Sequence, residues 1–262
     1  AAKILDIFSL IMTQTDQDAA YFKKLCKNPD IVMTGDNLKY SAAPLPVEED
    51  HLKDLRDAIG ERPHWVYAST HDGEEEMACR LQSHIERNHE GLLTIIVPRH
   101  PERREAIERV CQKYELNYML RTDKRNLPDE KTQIYIADTL GEMGLFYELA
   151  PIACIGRSFS NDGGGGHNPI EAAKKHCAVL HGPNVQNLQQ IFDDMDGEGA
   201  AIKLKDESDF EARLKKLLSD EDGLIAMQNK AYRFNNKKAD VIDRVMKLLK
   251  PLTDTACHYK KE

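Results

Sequence analysis

Four consecutive glycines, Gly163 to Gly166, run into His167-Asn168-Pro169-Ile170-Glu171. Glycine accepts both signs of φ, so successive backbone N–H groups can converge on an anion. Asn168 suits a helix N-cap, Pro169 the first helical position and Glu171 the third. A helix starting there would turn its free N–H groups toward the loop. A carboxylate in its first turn repels a phosphate on the helix axis but, set to one side, accepts hydrogen bonds from a sugar diol. That is a nucleotide site in outline. The same residues also read as an ordinary capping box behind a surface glycine loop, and the local pattern leaves both readings open.

Other polar segments follow apolar runs. Thr70-His71-Asp72-Gly73 comes after one, Pro98-Arg99-His100-Pro101-Glu102-Arg103 after a second, and Thr139-Leu140-Gly141-Glu142-Met143 after a third. Capping accounts for much of this. Thr139 and Glu142 have capping-box spacing, Pro101 suits a first helical residue, and Asp72 suits a cap. Capping does not call for Arg99 or Arg103, because a helix N-terminus disfavours cations, so an anion contact is expected of at least one of them. His71, His100, His167 and His181 fall at comparable places, without close H-x-x-x-H spacing or paired carboxylates, and no metal site or cofactor is expected. A G-x-S-x-G elbow is missing, as is a G-x-G-x-x-G after the first strand of the alternating region, which argues against a hydrolase of that type and a nicotinamide dehydrogenase.

The elements that must position these residues alternate from residue 64 onward. Strands are expected at 64–69, 92–97, 117–120, 133–138, 152–155, 177–181 and 200–204, several of them continuous apolar runs as in parallel strands buried on both faces. Helices fit 73–88, 101–114, 141–150, 168–175, 185–195 and 207–218, with a long helical tail over 223–249. The pattern predicts an α/β fold, a Rossmann-like parallel sheet with helices on both faces, whose ligand sits beyond the carboxyl ends of the strands. The first 60 residues differ: a strand at 9–13, a helix at 16–27, a strand at 31–34, a Pro-containing linker near 41–46, and a charged helix ending near Gly60. A division into 1–46 and 47–262 is expected.

With 41% hydrophobic and 31% charged residues the 262-residue chain reads as soluble and globular, and its net charge of −8 argues against nucleic acid as a partner. It contains no apolar run of roughly 18 residues, so no membrane span is expected. The six scattered cysteines lack framework spacing, and free thiols in a reducing, cytoplasmic compartment are expected. The chain does not begin with Met and opens on what reads as the middle of a domain, as a fragment would.

Taken together, Ala68-Ser69-Thr70-His71-Asp72-Gly73-Glu74-Glu75, Val97 to Arg103, Asp138-Thr139-Leu140-Gly141-Glu142 and Gly165 to Ala173, in that order and completed by Gly182-Pro183 and Asn187, resemble the C-terminal, donor-binding half of the bacterial 3-deoxy-D-manno-octulosonic acid (Kdo) transferases. Thr34-Gly35-Asp36-Asn37-Leu38-Lys39 is similar to the T-G-N-L-K segment that closes that family's N-terminal domain, with Asp36 as a departure. Arg157 after Gly156, a longer glycine loop and Asn184 in place of a usual histidine depart from it too.

The resemblance implies the C-terminal domain of a GT-B glycosyltransferase. It implies CMP-Kdo as donor and the lipid A precursor as acceptor, held by a missing N-terminal domain at the cytoplasmic face of the inner membrane. It implies that residues 1–46 end the N-terminal domain. It assigns nucleotide binding to Pro98, Arg99, Gly141, Glu142, Met143, Asn168, Pro169, Ile170 and Glu171, to which the glycine-loop and anion readings add Arg103, Gly165, Gly166 and His167, and it assigns stabilisation of the leaving phosphate to Lys39. The family's general base lies before this chain begins, so the fragment is expected to bind donor without catalysing. The competing readings are another GT-B enzyme using a UDP-sugar, and a non-catalytic nucleotide-binding module.

Overall fold

The computed structural model describes residues 2–35, 37–41, 43–160, 162, 165–237 and 240–258, apart from the side chains of Ala2, Asp123 and 254–258. Asp36, Gly163 and Gly164, on which expectations fall, lie outside the described residues.

The chain divides into two compact units, residues 1–43 with 236–262, and residues 44–235. In the smaller unit β1 (Ile11–Thr13) and β2 (Val32–Thr34) pair in parallel, joined through the helix Asp16–Leu25. Thr15 caps that helix, its hydroxyl accepting from Asp18 N at 3.0 Å. Ala19, Cys26 and Val32 form a small buried centre. The helix Val241–His258 packs against the short 3₁₀ turn Leu38–Ser41. The sequence division carries the second domain through to 262, whereas these last residues group with the first 43. The tail expected as one helix is two, Glu221–Lys237 and Val241–His258.

The larger unit is a seven-stranded, all-parallel sheet of β3 (His64–Thr70), β4 (Leu93–Pro98), β5 (Tyr118–Leu120), β6 (Ile134–Ile136), β7 (Ile152–Ile155), β8 (Ala178–His181) and β9 (Ala201–Lys203), in the order β5-β6-β4-β3-β7-β8-β9. Every residue of β4, β7 and β8 is buried, which is why these strands read as unbroken apolar runs. Helices flank the sheet, among them Glu74–Ile85 after β3, Met143–Leu149 after β6 and Glu207–Ser219 after β9. Trp65 and Tyr67 of β3 meet the edge of Phe210, with ring centroids 5.4 and 5.8 Å apart. Trp65 Nε1 donates to Thr94 Oγ1 at 2.8 Å and Thr94 donates on to Gln82 at 2.7 Å, so these three buried side chains satisfy one another.

β3 lies centrally, with β4 on one side and β7 on the other. The chain direction of the crossovers reverses there, the place at which an open parallel sheet binds its ligand.

Candidate functional site

The carboxyl edge of the sheet at this point is built by close backbone packing. β3 bulges at Ser69, whose φ of 57° interrupts the register with β4 between Ala68 and Thr70. Gly156, just past β7, donates its N–H to Ala68 O at 2.7 Å. A Cβ on Gly156 would stand 2.3 Å from Ser69 O, so only glycine passes. Glu74, 1% exposed, ties the β7 loop to the β3 side: Oε1 accepts from Ser158 N and Phe159 N, both at 3.0 Å. Its Oε2 accepts from Arg157 N at 2.8 Å and His71 N at 2.9 Å. Burial pushes the Glu74 carboxyl upward, and the four N–H groups pull against it. The β8 loop joins through Ser158, whose Oγ accepts from Gly182 N at 2.7 Å.

Within this frame a cavity of about 320 Å³ opens at the carboxyl ends of the strands. Pro98 and Arg99 reach it from β4, Gly141 and Met143 from the segment after β6, and His167, Asn168 and Glu171 from the approach to the helix Ile170–Lys174. These are seven of the residues marked in the sequence, drawn from three separate segments. Tyr147, buried, lines the same cavity. Asn168 Oδ1 accepts from Ile170 N at 3.2 Å, and its amide donates to Glu171 Oε1 at 3.2 Å. The helix is shorter than expected and starts later, at Ile170 rather than Asn168. Arg99 makes no ion pair with any described residue, which leaves an exposed guanidinium at the cavity.

The other marked residues stand elsewhere. Arg103 is engaged by carboxylates, its Nη2 donating to Asp72 Oδ1 at 2.8 Å and Glu75 Oε2 at 3.3 Å. The Glu142 side chain is buried and doubly bonded by Arg121, Nε and Nη2 each at 2.8 Å, with Thr139 donating to it as well. The carboxylate is thus turned toward Arg121 at the start of the helix Met143–Leu149. Gly165 and Gly166 are buried against the β8 loop: a Cβ on Gly165 would lie 2.3 Å from Gln186 Oε1, and Gly166 takes φ 73°. Pro169 and Ile170 are buried too. Lys39 belongs to the smaller unit, where it lines a cavity of about 330 Å³ with Met12, Gln14 and Val245.

Three contributors carry no site role in the sequence reading. Glu74 stands in the Ala68 to Glu75 motif without one, and Arg121 follows a short strand without any motif around it. Burial raises the Glu142 carboxyl, and Arg121 with Thr139 outweighs it, so the acid is held below its usual range. The third is His71, whose Nε2 lies 3.1 Å from His167 Nε2, the rings stacked with centroids 5.3 Å apart. Burial, then His71, Arg99, Arg157 and His100, brings His167 down to about 4; burial and Arg157 lower His71.

Among the described residues, no group of three or more His, Cys, Asp or Glu side chains is placed to hold a metal ion, and no helix is long and apolar enough to cross a membrane. The five described cysteines are buried and free.

The chain is 34% identical over 235 residues to a 3-deoxy-D-manno-octulosonic acid transferase of Rickettsia felis, a match covering 90% of this chain and 49% of that protein. To the protein of the same name from Rickettsia typhi it is 32% identical over 253 residues, covering 95% and 53%. Among solved structures, the C-terminal CMP-Kdo binding domain of WaaA from Acinetobacter baumannii matches with a TM-score of 0.65 at 26% identity, covering 71% of this chain and 98% of that domain. No protein-family model matches. The chain spans about half the length of the curated relatives it matches. Its larger unit has the fold of the C-terminal domain of a GT-B glycosyltransferase.

Proposed function

We propose, for a chain homologous over nearly all its length to the 3-deoxy-D-manno-octulosonic acid transferases, that the larger unit binds the CMP part of CMP-Kdo. The observation that carries this is the convergence of Pro98, Arg99, Gly141, Met143, Asn168 and Glu171 on one cavity at the reversal point of the sheet, with Arg99 unpaired. Each part suits a nucleotide. A free guanidinium answers a phosphate, and the Glu171 carboxylate answers a ribose diol. Met143 and Pro98 offer apolar contact to a base. Arg103, Glu142, Gly165, Gly166, Pro169 and Ile170 act as supports behind this surface.

The proposed whole reaction transfers Kdo to a hydroxyl of the lipid A precursor at a membrane surface. The hydroxyl gives its proton to a general base as its oxygen bonds the anomeric carbon, and the bond to the phosphate breaks with its electron pair going to CMP. Residues 1–46 are proposed as the end of the acceptor domain, and Lys39 as a charge that stabilises the departing phosphate. In a transfer assay on a protein carrying both halves, Lys39→Ala is expected to lower turnover about a hundredfold with CMP affinity unchanged. Equal turnover would remove Lys39 from the reaction.

The nucleotide reading is tested by thermal shift with CMP, UMP and UDP, because a ligand that binds only the folded state raises the melting temperature. Stabilisation by CMP beyond that by UMP supports it. A preference for UDP would transfer the site to the UDP-sugar enzymes.

A further inference from the structure

We propose that His71 and His167 form one anion subsite of the nucleotide cavity, a pair that shares a proton and takes up another when the donor's phosphate binds. This rests on the nucleotide reading above and extends it to His71, which does not itself line the cavity.

Two Nε2 atoms 3.1 Å apart bond only when one carries hydrogen and the other a lone pair. His167 lines the cavity, and His71 stands behind it. The surroundings are mostly basic. Arg99, His100 and Arg103 face the pair from the segment after β4, and Arg157 from the loop after β7. The acids nearby are committed. Asp72 and Glu75 pair with Arg103, and Glu74 accepts four backbone N–H groups, that of His71 included. Asp162 is shared, with Oδ2 3.6 Å from His71 Nδ1 and 3.2 Å from Arg157 Nε.

Half-buried among these basic groups, the pair without ligand is held neutral near pH 7, with His167 down at about 4. A phosphate against Arg99 and His167 supplies the missing negative charge, and the pair's proton affinity rises. A group whose affinity for protons rises on binding adds to ligand affinity fully below its free value, and loses that addition as pH climbs through its bound value. Anion affinity must therefore fall as pH rises, by up to about tenfold per pH unit inside that window. At the departing phosphate, where charge grows as the bond breaks, the held proton acts in the same direction.

The probe is the 5′-phosphate methyl ester of CMP, a phosphodiester whose single charge does not titrate in this range. Calorimetry from pH 5.5 to 8.5 on the 262-residue chain, in two buffers of different ionisation heat, counts protons taken up per ligand bound. The expected result is tighter binding at low pH with uptake of part of a proton between pH 6 and 7, both abolished in the double variant His71→Gln with His167→Gln, which keeps hydrogen-bonding side chains but cannot take the charge, and both shifted in pH by His71→Gln alone. His167→Gln is the second variant should His71→Gln not fold. Binding that is flat with pH, or an unchanged profile in a folded variant, overturns the subsite while leaving the nucleotide reading in place. Failure of the ester to bind at any pH overturns both.

Discussion

Arg99 and Arg103 stand four residues apart and meet opposite surroundings. Arg99 faces the cavity without an ion pair, whereas Arg103 is held by Asp72 and Glu75. The cationic spacing was legible, but those partners stand 31 and 28 positions away, and only the β3–β4 pairing brings them close. Glu142 shows the same limit. Its capping-box spacing with Thr139 was visible, while its principal partner Arg121 was not. Removing one member of a buried pair strands the other, so Arg121→Met is expected to destabilise the fold by about 3–5 kcal/mol, and Arg121→Met with Glu142→Leu to recover most of it, as read by denaturant unfolding. An additive double variant would mean the pair is not coupled. Glu171 is half-buried at the cavity, bonded by Asn168. Glu171→Gln is expected to weaken CMP by about ten- to a hundredfold, since a diol bonds a carboxylate more strongly than an amide, with well under about 1 kcal/mol lost from stability. Unchanged CMP affinity in that folded variant would make Glu171 a helix cap alone.

At the scale of elements, the strands of the larger unit were the readable part. Burial on both faces writes them as apolar runs, and Ile152–Ile155 matches its run to the residue. Helix ends were read less well. The helix at Ile170 is five residues long because Asn168 and Pro169 are used in the turn before it, and a capping pattern gives no length. The loop after β7 is held by a residue on another element altogether, Glu74, which no local pattern connects to Ser158 or Phe159. Glu74→Gln replaces one acceptor oxygen by an NH₂ that faces backbone N–H groups. It is expected to cost about 2–4 kcal/mol, with faster amide hydrogen exchange at residues 157–159. Exchange and stability unchanged from the parent would show that the loop holds without the carboxylate.

For the molecule as a whole, the α/β alternation made the doubly wound sheet legible, and the polar strand ends made the edge carrying the site legible with it. The grouping of residues 236–262 with 1–43 was not, since no composition shift marks where a helical tail changes company. The larger unit is proposed to hold a CMP site at the reversal point of its sheet, with Arg99 on the phosphate. Isothermal titration of the 262-residue chain with CMP, beside UMP and beside the Arg99→Ala variant, addresses it most directly. Saturable binding of CMP, weaker binding of UMP, and a loss of about ten- to a hundredfold in a folded Arg99→Ala protein are predicted. Absence of CMP binding at millimolar concentration, or equal affinity with and without the Arg99 side chain, would contradict the account.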